Sequence, residues 1–151
     1  MKILIATDGS DFSKVAVDQS CRMAIRPNDE VLIVSSYEDA YPVSAEPFAL
    51  SAEYYQKMED AMNELAEGFT ADARKSIEET LPNANLTIST EVLRGSPQQR
   101  IVERAEEWAA DLIVVGSHGR GFWGRLLGSV SNSVVHHAPC SVLIVRKPKD
   151  Q

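Results

Sequence analysis

Asp111-Leu-Ile-Val-Val-Gly116-Ser-His-Gly119-Arg-Gly121-Phe-Trp-Gly124-Arg-Leu-Leu-Gly128-Ser-Val-Ser131 changes character partway along its length. Leu112 to Val115 is wholly apolar, which suits a strand in a parallel sheet covered on both faces. Five glycines follow, Gly116, Gly119, Gly121, Gly124 and Gly128. They let the backbone adopt φ > 0 and approach a ligand without intervening Cβ atoms. The run closes on Gly128-Ser129-Val130-Ser131, whose serines stand where they can cap a helix built on Val130, Val134, Val135 and Ala138. A strand, a glycine-rich loop and a helix N-terminus together form an anion site, with phosphate the usual occupant. The bland alternative is a plain surface loop, but so many glycines beside a buried strand carry an entropic cost that a simple connection avoids.

Two familiar phosphate-binding patterns fit poorly. Gly119 and Gly124 have Walker spacing but are followed by Arg125-Leu126 instead of lysine and a hydroxyl residue. Gly119-Arg-Gly121-Phe-Trp-Gly124 spells a dinucleotide fingerprint, yet no Asp or Glu follows Gly124 until Asp150, beyond the last strand. A dinucleotide-dependent enzyme is therefore the weakest of three functional readings.

Outward from this centre, apolar runs and helical periodicities alternate. Lys2 to Ala6 reads as a first strand entering Thr7-Asp8-Gly9-Ser10, with Ser10 as helix cap and Asp8 over the carboxyl edge of the sheet, where open α/β folds bind ligands. The following helix buries Phe12, Ala16, Ser20, Met23 and Ala24, and Val31 to Val34 forms strand two, leading into Ser35-Ser36. Residues 38 to 53 are a long connection. An amphipathic helix from about Tyr54 to Leu81 is predicted to bury Met58, Met62, Leu65, Phe69, Ala73 and Ile77, with Glu59 among the solvated acids opposite. Leu86, Ile88 and Val92 alternate with polar neighbours as an edge strand, and Ser96-Pro97-Gln98-Gln99 reads as a capping box before a helix burying Ile101, Val102, Ala105 and Trp108. Ser141 to Arg146 is the fifth strand, and 147–151 a frayed tail. The expectation is one α/β domain over 1–151: a doubly wound, five-stranded parallel sheet with helices on both faces.

The chain of 151 residues is 44% hydrophobic and 25% charged, ordinary for a soluble globular domain, and its net charge of -7 argues against a nucleic-acid partner. Met1 to Ala6 is too short for a signal or a membrane span and is cut off by Asp8, so a cytoplasmic location is expected. Cys21 and Cys140 read as reduced core thiols. His136-His137 are adjacent, a poor spacing for metal ligands, and no nucleophile elbow or metal cluster is present.

Ile3-Leu-Ile-Ala-Thr-Asp-Gly-Ser10, Arg94-Gly95, Ala110-Asp-Leu-Ile-Val-Val-Gly-Ser-His-Gly119 and His137-Ala-Pro-Cys-Ser-Val-Leu-Ile-Val-Arg146 together resemble the universal stress protein family. Gly116-x2-Gly119 and Gly128-Ser129 match the two ends of the Gly-x2-Gly-x9-Gly-Ser/Thr motif of its nucleotide-binding members. Arg120 to Leu127 supplies eight residues where that motif has nine. The resemblance implies a sheet order of 3-2-1-4-5 and an adenine nucleotide (ATP, ADP or AMP, with or without Mg2+) at the ends of strands one and four. Carried over by position, the site comprises Ala6, Thr7, Asp8, Ser36, Val115, Gly116, Ser117, His118, Gly119, Arg120, Gly128, Ser129, Val130 and Ser131. Asp8 would contact the ribose, the residues after strand two the adenine and the loop the phosphates, with His118 shaping the loop rather than catalysing. The resemblance also implies a homodimer through Ser141 to Arg146 and a regulatory module in the stress response, with any ATP hydrolysis slow and incidental. The remaining alternative is a dimeric interaction protein of the same family that binds no nucleotide.

Overall fold

The computed structural model describes residues 1–39, 51–119 and 126–148. Its elements are β1 (Lys2–Ala6), α1 (Asp11–Met23), β2 (Glu30–Tyr37), α2 (Ala52–Thr80), β3 (Thr87–Arg94), α3 (Pro97–Glu107), β4 (Leu112–Gly116), α4 (Ser129–His137) and β5 (Ser141–Val145). The strands form one parallel sheet in the order β3-β2-β1-β4-β5. The stretches Ile3 to Ile5, Val31 to Val34 and Leu112 to Val115 are wholly apolar because both faces of the sheet are covered there. Ile3, Ile5, Val31, Ile33 and Val114 pack with Ala16, Val17 and Cys21 of α1 and Ala73 and Ile77 of α2. Leu4, Leu32, Val34, Ile113 and Val115 pack on the other side with Ile101 and Ala105 of α3 and Val134 of α4. Alternate residues of each strand thus serve opposite layers.

β1 is the hub. It pairs with β2 from Lys2↔Glu30 to Ala6↔Val34, and with β4 from Ile3↔Leu112 to Ile5↔Val114. The β1–β4 seam is locked at its lower end, where the Lys2 amide donates to Asp111 Oδ2 at 2.7 Å and the Asp111 amide donates to the Lys2 carbonyl at 2.8 Å.

The expected strands and order are all present, with β3 and β5 at the edges, but several local expectations change. α2 begins at Ala52, inside the predicted connection, with the Ser51 side chain accepting from the Tyr54 amide; residues 40–50 lie outside the described residues. Its first half buries Tyr55, Glu59 and Ala66, leaving Met58 37% and Leu65 51% exposed. Glu59 is drawn inward because Arg94, at the end of β3, donates to its Oε1 and also to Asp39. In α1, Met23 is exposed and Ser13, Val17 and Cys21 are buried instead. Val135 of α4 is exposed, and Val102 and Trp108 are only half-buried; Trp108 carries Lys2 Nζ 5.4 Å from its ring centre. Ser10 caps α1 as expected, accepting from the Ser13 amide. Ser96 is the N-cap of α3 but makes no side-chain cap bond, because Pro97 supplies the preset φ of the first turn. The N-cap of α4 is Gly128, not a serine. Both cysteines are free, Cys21 buried and Cys140 half-buried.

Candidate functional site

At the carboxyl edge of the sheet, the end of β1 and the loop after β4 sit side by side, because those strands are neighbours although α1 through α3 separate them in sequence. Between them lies a cavity of about 340 Å³, toward the small end of the range for ligand pockets. Ala6, Thr7 and Asp8 form one wall; Val115, Gly116, His118 and Gly119 form the opposite wall; Gly128, Ser129, Val130 and Ser131 close the end at the start of α4. Ser36 enters from β2. Every site residue expected from the sequence lines this cavity except two. Arg120 lies outside the described residues, and Ser117 is 1% exposed, behind the wall.

Sequence reasoning missed Ser13, Val34, Pro97 and Ile101, which also line the cavity. Val34 was recoverable, since it lies two residues before Ser36 and so on the same face of β2. Ser13 stands one turn beyond the Ser10 cap and accepts from Thr7 Oγ1 at 3.2 Å. Pro97 and Ile101 come from the opposite helical layer, and nothing local to α3 marks them as site residues.

The close approach of these segments depends on small residues. A Cβ on Gly116 would lie 2.9 Å from the Phe12 carbonyl carbon and oxygen and 3.1 Å from the Ser13 amide nitrogen, so glycine is what lets the end of β4 touch the start of α1. A Cβ on Gly128 would lie 3.3 Å from His118 Cα and 3.4 Å from the Ser117 carbonyl oxygen. Asp8 is held in an Asx turn, its Oδ1 accepting from the Ser10 amide at 3.0 Å and the Ser10 hydroxyl at 2.6 Å. That geometry turns the carboxylate back toward the start of α1 while Asp8 still lines the cavity.

Ser117 and His118 staple the two ends of the glycine loop. The Ser117 carbonyl accepts from the Gly128 amide at 2.8 Å and the Ser131 hydroxyl at 3.0 Å. His118 Nε2 is 2.5 Å from the Leu126 carbonyl, and its Nδ1 is 2.9 Å from the Ser117 hydroxyl. A carbonyl only accepts, so Nε2 donates to Leu126, while the Ser117 hydroxyl partners Nδ1. Both ring nitrogens thus serve loop shape, and the ring lies 5.1 Å from Phe12. Ser131 Oγ also bonds the Gly128 carbonyl at 3.0 Å, so its hydroxyl braces the turn. The first amides of α4, including those of Ser129 and Val130, have no partner within the helix and border the cavity.

No group of three or more His, Cys, Asp or Glu side chains with metal-binding geometry occurs among the described residues. No described helix is long and apolar enough to cross a membrane.

The profile of the Universal stress protein family matches residues 1–146. A universal stress protein from Methanocaldococcus jannaschii is 38% identical over 152 residues, an alignment covering 99% of this chain and 84% of the relative. Among solved structures, the hypothetical protein MJ0577, the subject of a structure-based assignment of biochemical function, superposes with a TM-score of 0.80 at 25% identity, covering 99% of this chain and 97% of that one. A universal stress protein in complex with cAMP superposes with a TM-score of 0.62 at 26% identity, covering 96% of each chain.

Proposed function

This chain belongs to the universal stress protein family, and we propose that it binds an adenine nucleotide in the cavity between β1 and β4, acting as a cytoplasmic, dimeric regulatory module of the stress response. The observation that carries the proposal is the convergence of a β1-end carboxylate, closely approaching glycine backbone and an α4 N-terminus on one cavity. The cAMP complex of a structural neighbour supports adenine nucleotide as the ligand class. In this reading the free lone pairs of Asp8 accept a ribose hydroxyl, Val34 and Ser36 border the adenine, and the amides of Ser129 and Val130 hold phosphate with the dipole of α4 behind them. Asp8 is the cavity's single carboxylate among the described lining residues. Any Mg2+ would therefore depend chiefly on phosphate oxygens and water, as is usual for that ion. The proposal assigns no turnover, since both nitrogens of His118 are engaged within the loop.

Releasing and identifying nucleotide from the purified protein, followed by calorimetry with ATP, ADP, AMP and cAMP, tests the reading. Roughly micromolar affinity is expected, and Gly128→Val should abolish binding by filling the space beside His118 Cα. The eight-residue interval from Arg120 to Leu127 favours a second reading, in which the dimer serves only as an interaction protein. A variant with one residue inserted after Phe122 restores nine. If neither parent nor insertion binds adenine nucleotide at millimolar concentration, the second reading replaces the first.

A further inference from the structure

A second cavity, of about 240 Å³, opens on the other side of Thr7, between α1 and α2. Among the described residues, Thr7 is the single lining residue it shares with the first. Its upper end is closed where the Phe69 ring lies against Gly9, so tightly that a Cβ there would be 2.3 Å from a ring carbon; its φ of +72° also favours glycine. At the lower end the Ser76 hydroxyl donates to Asp18 Oδ1 at 3.1 Å, tying the two helices together. The floor is apolar, made by the buried side chains of Val17 and Ala73. The α1 wall carries Lys14 and, one turn on, Asp18, and the α2 wall carries Asp72, one turn before Ser76. Yet among the described residues no ion pair within 4.0 Å joins Lys14 to either carboxylate, and Asp72 pairs with no cation.

We infer that this groove is a binding site for a small zwitterion with an apolar body, the class of free aliphatic amino acids. An ammonium and a carboxylate on one ligand answer both walls at once, whereas a simple anion would face Asp72 and Asp18, and a simple cation would face Lys14. Val17, Ala73 and Phe69 give the hydrocarbon portion a surface to leave water against. A nucleotide is the wrong occupant here, because two carboxylates oppose its phosphates. The inference is independent of whether the first cavity binds nucleotide.

The test is a titration of the isotope-labelled protein followed by amide NMR, with L-leucine as the probe. Isopentylamine and 4-methylpentanoate, each lacking one charge, are the controls. Leucine should shift the amides of Gly9, Lys14, Asp72 and Ser76 saturably, and each control should bind about tenfold or more weakly. Lys14→Ala and Asp72→Asn should each cost leucine a similar factor, and both side chains are exposed, so the variants keep their cores. Absence of saturable shifts up to about 10 mM, equal affinity for the single-charge controls, or leucine affinity unchanged in both variants would overturn the inference.

Discussion

Asp8 Oδ2 lies 2.9 Å from the point a Cβ on Gly119 would occupy. The two residues come from opposite walls of the cavity, so the space for the carboxylate exists because the facing residue has no side chain. On the nucleotide proposal, Asp8→Ala should weaken binding by about 1.5–3 kcal/mol, the range for hydrogen bonds to a charged group. It should also cost about 1 kcal/mol of stability, through loss of the Asx turn that Asp8 makes with Ser10. Gly119→Ala should displace the carboxylate and lower affinity while leaving that turn intact. Calorimetry alongside thermal unfolding separates the two effects, and wild-type affinity in both folded variants would take Asp8 out of the site.

Gly116→Ala should be a folding variant first. Its added methyl meets the backbone of Phe12 and Ser13, which cannot rotate away as a side-chain end can. A loss of about 1–3 kcal/mol is expected, as for other overpacked sites. Urea unfolding with an unchanged midpoint would show that α1 moves away freely.

Ala109 ends the turn after α3 at φ +54°, in the left-handed region. That conformation costs an L-residue about 1–2 kcal/mol, of which glycine's extra chain entropy returns about 0.5–1 kcal/mol. Ala109→Gly should therefore stabilise the fold by about 0.5–1 kcal/mol and raise Tm by roughly 1–4 °C for a chain of this size. A lower Tm would contradict this.

Burial, with Asp18 as the lesser cause, pushes the Cys21 thiol above its ordinary range; burial, with Asp111 second, does the same for Cys140. A thiol whose native pKa is raised contributes stability that is fully present below the unfolded value of about 8.5. That contribution is lost as pH rises through the native values. Stability should accordingly fall on the alkaline side, and Cys21→Ser should flatten that limb. At neutral pH both thiols should react slowly with a disulfide reagent, the half-buried Cys140 ahead of Cys21. Reaction of Cys21 at the rate of the denatured chain would refute this.

β5 is an edge strand whose Val142, Leu143 and Ile144 remain half-buried. Unpaired edges with such side chains are normally covered, and the proposed cover is a second copy along Ser141 to Arg146. Light scattering at micromolar concentration should give twice the chain mass. A monomer mass would remove the dimer from the functional proposal.

The strands were legible because a run such as Ile3 to Ile5 or Leu112 to Val115 has few other places to go than a doubly covered sheet. The phase of α2 was not. Its periodicity marked a helix correctly, but over the first turns Tyr55, Glu59 and Ala66 face inward and Met58 and Leu65 do not. What decides it is Arg94, a partner at the end of β3 that makes an inward carboxylate tolerable. The cap of α4 was misassigned for a similar reason. The Ser131 hydroxyl is committed to Ser117, a contact that exists once β4 and α4 are together. Local pattern reports what a segment is, and long-range polar partners decide which way it faces.

The two hydrogen bonds between Lys2 and Asp111, one backbone to backbone and one to the Asp111 carboxylate, join positions 109 residues apart. Closing so long a loop is an entropic cost that nearby pairings such as β1 with β2 do not carry. The seam between β1 and β4 is therefore expected to zip late in folding, and the first cavity does not exist until it has. A chain interrupted during synthesis, or opened along that seam, presents Asp8 without Gly119 opposite. A ligand of the cavity would accordingly act as a clasp on the finished molecule: it would bind the fully assembled sheet, slow its opening and leave partly folded forms unprotected.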